Sequence, residues 1–163
     1  MLARKYYREV YRFCCFRLNG DADTAADITQ EVFLKVLENI QAVRGIGKFR
    51  NYLLTIAANL CNNDFKKAKP ICTDLTAFEI ADETASALEK VIREESAEEV
   101  RRAIESLPDC QKEVVILRFY HDLKIREIAN ITNANVSTVK SRLQQGLKKL
   151  RKSFESSEGG GGL

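Results

Sequence analysis

The 163-residue sequence lacks any apolar run of about 18 residues, the length that a membrane-spanning helix requires. It also lacks the apolar core of a signal peptide, because its start, MLARKYYREVYRF, alternates charged with aromatic side chains. Its hydrophobic fraction is nevertheless 45%, enough for one ordinary domain or two small ones. The composition therefore predicts a folded, cytoplasmic protein with no membrane insertion.

Metal-binding and disulfide-forming residues are few and follow no regular pattern. The chain has one histidine, His121, and five cysteines without a CxxC pair: Cys14, Cys15, Cys61, Cys72 and Cys110. Such a set predicts neither a zinc site nor a disulfide framework. We interpret Cys14, Cys15 and Cys61 as small apolar helix residues, with redox sensing as the alternative.

Catalytic motifs are missing as well. The sequence contains no glycine-rich phosphate-binding loop and no nucleophile placed beside a base. We therefore predict that the protein is not an enzyme and holds no cofactor and no metal.

The net charge of +3 is distributed unevenly. Residues 1–69 carry 12 basic and 7 acidic side chains (+5), residues 70–107 carry 4 and 10 (−6), and residues 108–163 carry 10 and 6 (+4). Two basic ends thus flank an acidic middle. Basic domains favour a polyanionic partner such as nucleic acid.

Strand signals are nearly absent, and apolar residues recur at helical spacing. Three helices are predicted before Pro70, with breaks at residues 19–21 and 45–47 and the second helix starting near Asp23. Residues 71–87 have no apolar stripe and are interpreted as a linker. The predicted apolar positions of the first two helices are Tyr7, Val10, Tyr11, Cys14, Ile28, Val32, Phe33, Val36, Leu37 and Ile40, and those of the third are Tyr52, Leu53, Ile56, Ala57 and Leu60.

The last third has a helix-turn-helix pattern: KIREIANI, a tight connection TNAN, and VSTVKSRLQQGLKKLRK. Asn133 suits the left-handed turn conformation, and Asn135 is a favourable N-cap. Val139, Leu143, Leu147 and Leu150 form one buried stripe in the second helix. The opposite face then presents Ser137, Thr138, Lys140, Ser141, Gln144, Gln145 and Lys148, a set that suits the DNA major groove. A three-helix bundle with a solvated basic face is the alternative.

Two stretches carry a family resemblance. Residues 104–152, IESLPDCQKEVVILRFYHDLKIREIANITNANVSTVKSRLQQGLKKLRK, closely resemble region four of the sigma-70 family. Residues 21–40, DADTAADITQEVFLKVLENI, and 47–69, GKFRNYLLTIAANLCNNDFKKAK, resemble region two. Both regions in this order, in so short a chain, are typical of the extracytoplasmic-function (ECF) group of bacterial RNA polymerase sigma factors.

The resemblance implies an all-α fold of two small helical domains. A region-two bundle is expected at 1–69, a flexible acidic linker at 70–95, a region-four helix-turn-helix domain at 96–153 and a flexible tail at 154–163. The implied function is that of an alternative sigma factor, which binds core RNA polymerase and directs promoter recognition and transcription initiation. The implied partners are the β′ clamp helices and the β flap of the polymerase, promoter DNA and an anti-sigma factor.

The resemblance also implies three sets of site residues. Polymerase binding maps to Asp27, Gln30, Glu31, Phe33 and Leu34. Reading of the −10 element maps to Val43, Arg44, Lys48, Phe49, Arg50, Tyr52 and Asn59, with Lys66, Lys67 and Lys69 on phosphates. Reading of the −35 element maps to Ser137, Thr138, Lys140, Ser141, Arg142, Gln144, Gln145 and Lys148.

The chain departs from the family pattern at individual positions. Tyr52 stands where the family commonly has Trp, and Gln145 stands where it often has Arg, so a different promoter sequence is expected. Two other functions remain as alternatives: a stand-alone helix-turn-helix regulator, and a helical adaptor that binds only proteins. The QEVF segment argues against the first, and the basic runs FKKAK and LKKLRK argue against the second.

Overall fold

The computed structural model describes residues 2–39, 46–64 and 97–160. Helices make up most of this part of the chain, as the helical spacing of its apolar residues predicted. Within those residues there is no strand, which confirms the expected all-α class. The predicted linker at 70–95 lies outside the described residues. The helices are α1 (Leu2–Arg17), α2 (Ala22–Glu38), α3 (Ile46–Asp64), α4 (Ala97–Glu105), α5 (Asp109–Phe119), α6 (Ile125–Thr132) and α7 (Val136–Gly160).

The described helices divide into two compact units. The first contains α1, α2 and α3 together with Arg126–Ala134, which covers nearly all of α6. The second contains α4, α5 and α7. By their contacts, most of α6 therefore belongs to the first unit and α7 to the second, so the two helices of the helix-turn-helix pattern are assigned to different units.

The core of the first unit is built from the apolar stripes of α1, α2 and α3. Its most deeply buried side chains are Val10, Phe13 and Cys14 from α1, Ala25 and Val32 from α2, and Leu53, Leu54, Ala57, Ala58 and Cys61 from α3. Arg17 is also buried, and its Nη2 donates to Oδ1 of Asn62 at 2.5 Å. This hydrogen bond satisfies one of the guanidinium donors that burial removes from water.

Helix α2 begins one residue earlier than the sequence suggested, because Asp21 caps it. The Asp21 carboxylate accepts hydrogen bonds from the backbone N of Thr24 at 3.2 Å and from Thr24 Oγ1 at 2.8 Å. These bonds stabilise the charged form and lower the pKa of Asp21 below its ordinary value. Asn19 and Gly20, both with positive φ, form the turn that precedes the cap.

Two positions of the predicted apolar stripes lie at the surface instead of the core. The exposed fraction is 38% for Tyr7 and 65% for Leu37. In α1 the buried aromatic residues are Tyr6 and Phe13 instead of Tyr7. Tyr7 and Leu37 sit at the border of an apolar stripe, where helical spacing alone does not separate buried from exposed positions.

In the second unit, α5 packs along α7 at close range. A Cβ atom on Gly146 of α7 would lie 2.9 Å from Cγ2 of Val115 in α5, so the two helices approach where the side chain is missing. The predicted stripe of Val139, Leu143, Leu147 and Leu150 is buried. Phe154 continues that stripe and is also buried, and α7 extends to Gly160.

The cysteines follow the sequence interpretation in part. Cys14 and Cys61 are buried in the first unit and Cys15 is half-buried, and all three are free thiols. A hydrogen bond with Cys61 is the main cause of a lowered pKa of Cys14. Cys110 is disulfide-bonded, which the unpatterned cysteine spacing did not predict.

Candidate nucleic-acid and protein interfaces

The exposed face of α2 carries the residues that the sequence assigned to polymerase binding. Asp27, Gln30 and Glu31 are exposed, and Leu34 is exposed by 59%. Their spacings of three, one and three place them on one side of the helix. Leu37, one turn beyond, extends this face, and sequence analysis missed it because it matched the core periodicity.

Phe33, assigned to the same set, sits at the edge of that face. It is half-buried, and its ring centroid lies 5.8 Å from that of Tyr7 on α1, with an angle of 24° between the rings. Phe33 therefore contributes to the packing of α2 on α1 as well as to the surface. Mixed apolar and acidic surfaces of this kind are typical of protein docking sites.

Two residues at the start of α3, assigned to the −10 element, are held by α1. Phe49 meets Tyr6 edge to face, with centroids 5.2 Å apart and an angle of 79°. Nε of Arg50 forms an ion pair with Oε1 of Glu9 at 2.6 Å. Phe49 and Arg50 are both half-buried, and these contacts with α1 fix their positions at the start of α3.

The other residues of the −10 set are placed unevenly. Tyr52 is half-buried and Asn59 is exposed on α3. Asn51, which the sequence did not single out, donates from Nδ2 to Oε2 of Glu127 at 2.8 Å within the first unit. Val43, Arg44, Lys66, Lys67 and Lys69 lie outside the described residues, as does the side chain of Lys48.

The turn before α7 has the predicted backbone geometry. Asn133 has a φ of 53°, the left-handed conformation. The N–H of Ala134 donates to the carbonyl of Ala129 at 3.0 Å, and the N–H of Val139 donates to the carbonyl of Asn135 at 3.0 Å. Asn135 therefore stands at the N-cap position of α7.

Most of the polar set assigned to the −35 element is accessible on α7. Ser137, Lys140 and Lys148 are exposed, while Thr138, Arg142, Gln144 and Gln145 are half-buried. Ser141 is an exception, because only 4% of its surface is exposed. Two positions correspond to about 200° around a helix, so Ser141 lies on the side of α7 opposite Val139 and Leu143 and is nevertheless covered.

Gln145 has a partner that the sequence did not reveal. Nε2 of Gln111 on α5 donates to Oε1 of Gln145 at 3.1 Å. Gln111 is buried with 5% of its surface exposed, so it can orient Gln145 without reaching the surface itself. The two residues are 34 positions apart, which is why no local motif connects them.

Over the described residues, no group of three or more His, Cys, Asp or Glu could hold a metal ion. None of the described helices is both long and apolar enough to cross a bilayer.

Comparison with known proteins assigns the family. The model of sigma-70 region 2 matches residues 2–71 and the model of sigma-70 region 4 matches residues 97–150. The ECF RNA polymerase sigma factor SigW of Bacillus subtilis is 31% identical over 157 residues, covering 90% of this chain and 83% of SigW. This chain belongs to the ECF group of the sigma-70 family. The RNA polymerase sigma factor SigV of the same organism is 32% identical, covering 88% of this chain and 83% of SigV.

A solved structure supports the fold of this ECF sigma factor. The sigma factor RpoE from Bartonella quintana, solved in complex with the anti-sigma factor NepR, superposes with a TM-score of 0.68 at 18% identity. The match covers 92% of each chain.

As an ECF sigma factor, the protein is an alternative sigma factor that directs transcription initiation. Sigma factors are initiation factors and not enzymes. The stand-alone regulator and the protein-only adaptor do not explain the presence of both family regions, so both alternatives are set aside.

Proposed function

We propose that this sigma factor binds core RNA polymerase through the exposed face of α2, reads the −10 element at the start of α3 and reads the −35 element with α7. The observation that carries the proposal is the α2 face, where Leu34 and Leu37 are exposed by 59% and 65% beside the carboxylates of Asp27 and Glu31. Two large apolar side chains so exposed gain stability only when a partner covers them.

The β′ clamp helices are the proposed partner of this α2 face. Burial of Leu34 and Leu37 supplies the apolar centre of an interface, and Asp27, Gln30 and Glu31 supply a polar rim. Because the charged groups lie around the apolar pair, they select the partner and its orientation more than they add affinity.

At the −10 element, the proposed task is to hold a melted strand. A base that leaves its stack costs a few kcal/mol and needs a formed pocket and basic side chains to hold it. Phe49, fixed by Tyr6, and Arg50, fixed by Glu9, supply a rigid wall and a cation for this purpose. Tyr52 and Asn59 lie further along α3, and Val43, Arg44, Lys48, Lys66 and Lys67 complete the proposed set.

At the −35 element, α7 is the proposed recognition helix, and its unit would contact the β flap. Arg142 and Gln145 have the planar donor groups that pair with base edges, while Lys140 and Lys148 reach phosphates. The apolar stripe of α7 is buried, whereas Lys140 and Lys148 are exposed and Arg142 and Gln145 are half-buried.

An anti-sigma factor is the proposed inhibitor. The related fold of RpoE was solved with the anti-sigma factor NepR bound. Leu34 and Leu37 need cover when polymerase is absent, so we expect the inhibitor to compete with polymerase for the α2 face.

In-vitro transcription with purified core polymerase on a promoter library tests the proposal. We expect initiation only at templates that share a −10 and a −35 element, and only when the protein is added. Initiation without any shared −35 element would contradict the role of α7. Failure to co-purify with core polymerase would contradict the role of α2.

A further inference from the structure

A cationic and aromatic surface on α1 has no role in the proposal above. It consists of Arg4, Lys5, Tyr7, Arg8 and Tyr11, and we call it the α1 surface. Arg4, Tyr7, Arg8 and Tyr11 follow spacings of three, one and three, so they share one side of the helix. Four of these residues, Arg4, Lys5, Tyr7 and Arg8, line an open depression of about 530 Å³.

The aromatic rings of this surface are ordered by mutual packing. The rings of Tyr7 and Tyr11 are nearly parallel, at 7°, with centroids 6.4 Å apart. Phe33 of α2 also stacks with Tyr7, with ring centroids 5.8 Å apart and an angle of 24°. Tyr7 still has 38% of its surface exposed, so part of this aromatic cluster can be reached by a planar group from solvent.

The α1 surface also adjoins the proposed −10 site. Tyr6 and Glu9 of the same helix contact Phe49 and Arg50 at the start of α3. Glu9 lies four residues after Lys5, so the two side chains share one side of α1. A chain leaving Arg50 can therefore continue past Glu9 and Lys5 onto the α1 surface without crossing the core.

We propose that the α1 surface binds single-stranded DNA next to the −10 bases, with Tyr7 and Tyr11 stacking on bases and Arg4, Lys5 and Arg8 contacting phosphates. Aromatic rings interleaved with cations are the chemistry that single-stranded nucleic acid requires, and stacking accepts every base. This contact is therefore independent of sequence. It rests on the proposed −10 role of α3, which it extends.

The test measures affinity for a fluorescent 12-nucleotide single strand by anisotropy, with the full chain alone and in complex with core polymerase. Loss of one stacked base is worth about 1–3 kcal/mol, so Tyr7→Ala and Tyr11→Ala should each weaken binding by about 5- to 150-fold. Tyr7→Phe should bind as the unmodified protein does, because it keeps the ring. Arg4→Ala and Arg8→Ala should each reduce the salt slope of log K by about 0.7.

Lys35→Ala is the matched control for lost charge. Lys35 is exposed on α2, about 200° around the helix from Phe33, so Lys35→Ala should leave single-strand binding unchanged. An equal loss in Lys35→Ala would show non-specific charge attraction and overturn the proposal. So would unchanged affinity in Tyr7→Ala and Tyr11→Ala with helical content preserved by circular dichroism.

Two further outcomes distinguish single-strand binding by the α1 surface from other roles of this surface. If Tyr7→Ala and Tyr11→Ala lose core polymerase in co-purification as strongly as they lose DNA, the surface is a protein-docking site and the proposal is wrong. Binding of these variants to a double-stranded −35 fragment should be unaffected. If the unmodified protein fails to initiate transcription but binds the single strand through Tyr7 and Tyr11, the proposed function is contradicted and single-strand binding by the α1 surface is supported.

Discussion

Gln111 on α5 and Gln145 on α7 are joined by a hydrogen bond of 3.1 Å between Nε2 of Gln111 and Oε1 of Gln145. Gln111 is buried, whereas Gln145 is half-buried on the helix proposed to read the −35 element. The bond uses the acceptor oxygen of Gln145. A residue of the unit's interior thus orients a proposed base-reading side chain.

Replacing the buried Gln111 should therefore change DNA recognition through its effect on Gln145. In Gln111→Leu, Gln145 loses its anchor, and we expect discrimination at the base that it reads to fall by about 1 kcal/mol, the usual value of one hydrogen bond. Selection of −35 sequences by the variant measures this. Gln145→Ala is the comparison, and the double variant should lose no more than Gln145→Ala alone. Full additivity would show that the two residues act independently.

On α7, base contacts and phosphate contacts should separate by their effects. Arg142→Ala should change the preferred −35 base, at a cost of about 1–3 kcal/mol for the original sequence. Lys148→Ala should weaken all sequences alike and lower the salt slope by about 0.9. Both are measured by titrating duplex fragments that differ at single positions. A uniform loss in Arg142→Ala would reassign that residue to the phosphates.

Core polymerase binding should depend on the α2 face. Gln30→Ala combined with Glu31→Lys should abolish co-purification with core polymerase, because it removes an amide and reverses a charge beside Leu34. Helical content should stay unchanged, since both side chains are exposed. Glu98→Lys, a charge reversal at an exposed residue of α4, is the control and should still bind. Undiminished binding by the double variant would show that polymerase docks elsewhere.

The close approach of α5 and α7 should make Gly146 intolerant of a side chain. Gly146→Ala places a Cβ atom 2.9 Å from Cγ2 of Val115, and overpacking of this kind costs about 1–3 kcal/mol. The gain in helix propensity from Gly to Ala, about 1 kcal/mol, offsets only part of it. Denaturant unfolding should therefore show a net loss. Adding Val115→Ala removes the obstructing methyl, so in the Val115→Ala background Gly146→Ala should no longer destabilise.

The cap of α2 should make stability depend on pH. The folded pKa of Asp21 is lowered by its bonds to Thr24, so its contribution is present above the unfolded value of about 3.9 and is lost as pH falls through the folded value. Asp21→Ala should lower the melting temperature at pH 7, and the difference should shrink in acid. Asp21→Asn keeps a capping oxygen without the charge, so its melting temperature should lack this pH dependence.

Much of the first unit was predictable from the sequence. Helical spacing located α1, α2 and α3, and the buried positions Val10, Val32 and Leu53 follow from it. The same spacing failed at Tyr7 and Leu37, which fit a stripe but lie at its border. Periodicity reports which side of a helix is apolar, whereas burial depends on what packs against that side.

The proposed sites show the same limit. The motifs placed Asp27, Gln30, Glu31 and Leu34 on one exposed face, and the structure agrees. They did not indicate that Ser141 is buried. That burial depends on what packs against α7, and exposed and buried serines look alike in a sequence.

The sequence by itself determined the all-α class, the left-handed turn at Asn133, the buried stripe of α7 and membership of the ECF sigma factors, because propensity, turn chemistry and motifs are local properties. Only the tertiary structure decided that Gln111 holds Gln145, that Glu9 holds Arg50 and that Phe33 supports the exposed Tyr7. The Gln111–Gln145 and Glu9–Arg50 contacts and the support from Phe33 join side chains on different helices. Their geometry depends on how those helices pack, which no local pattern encodes.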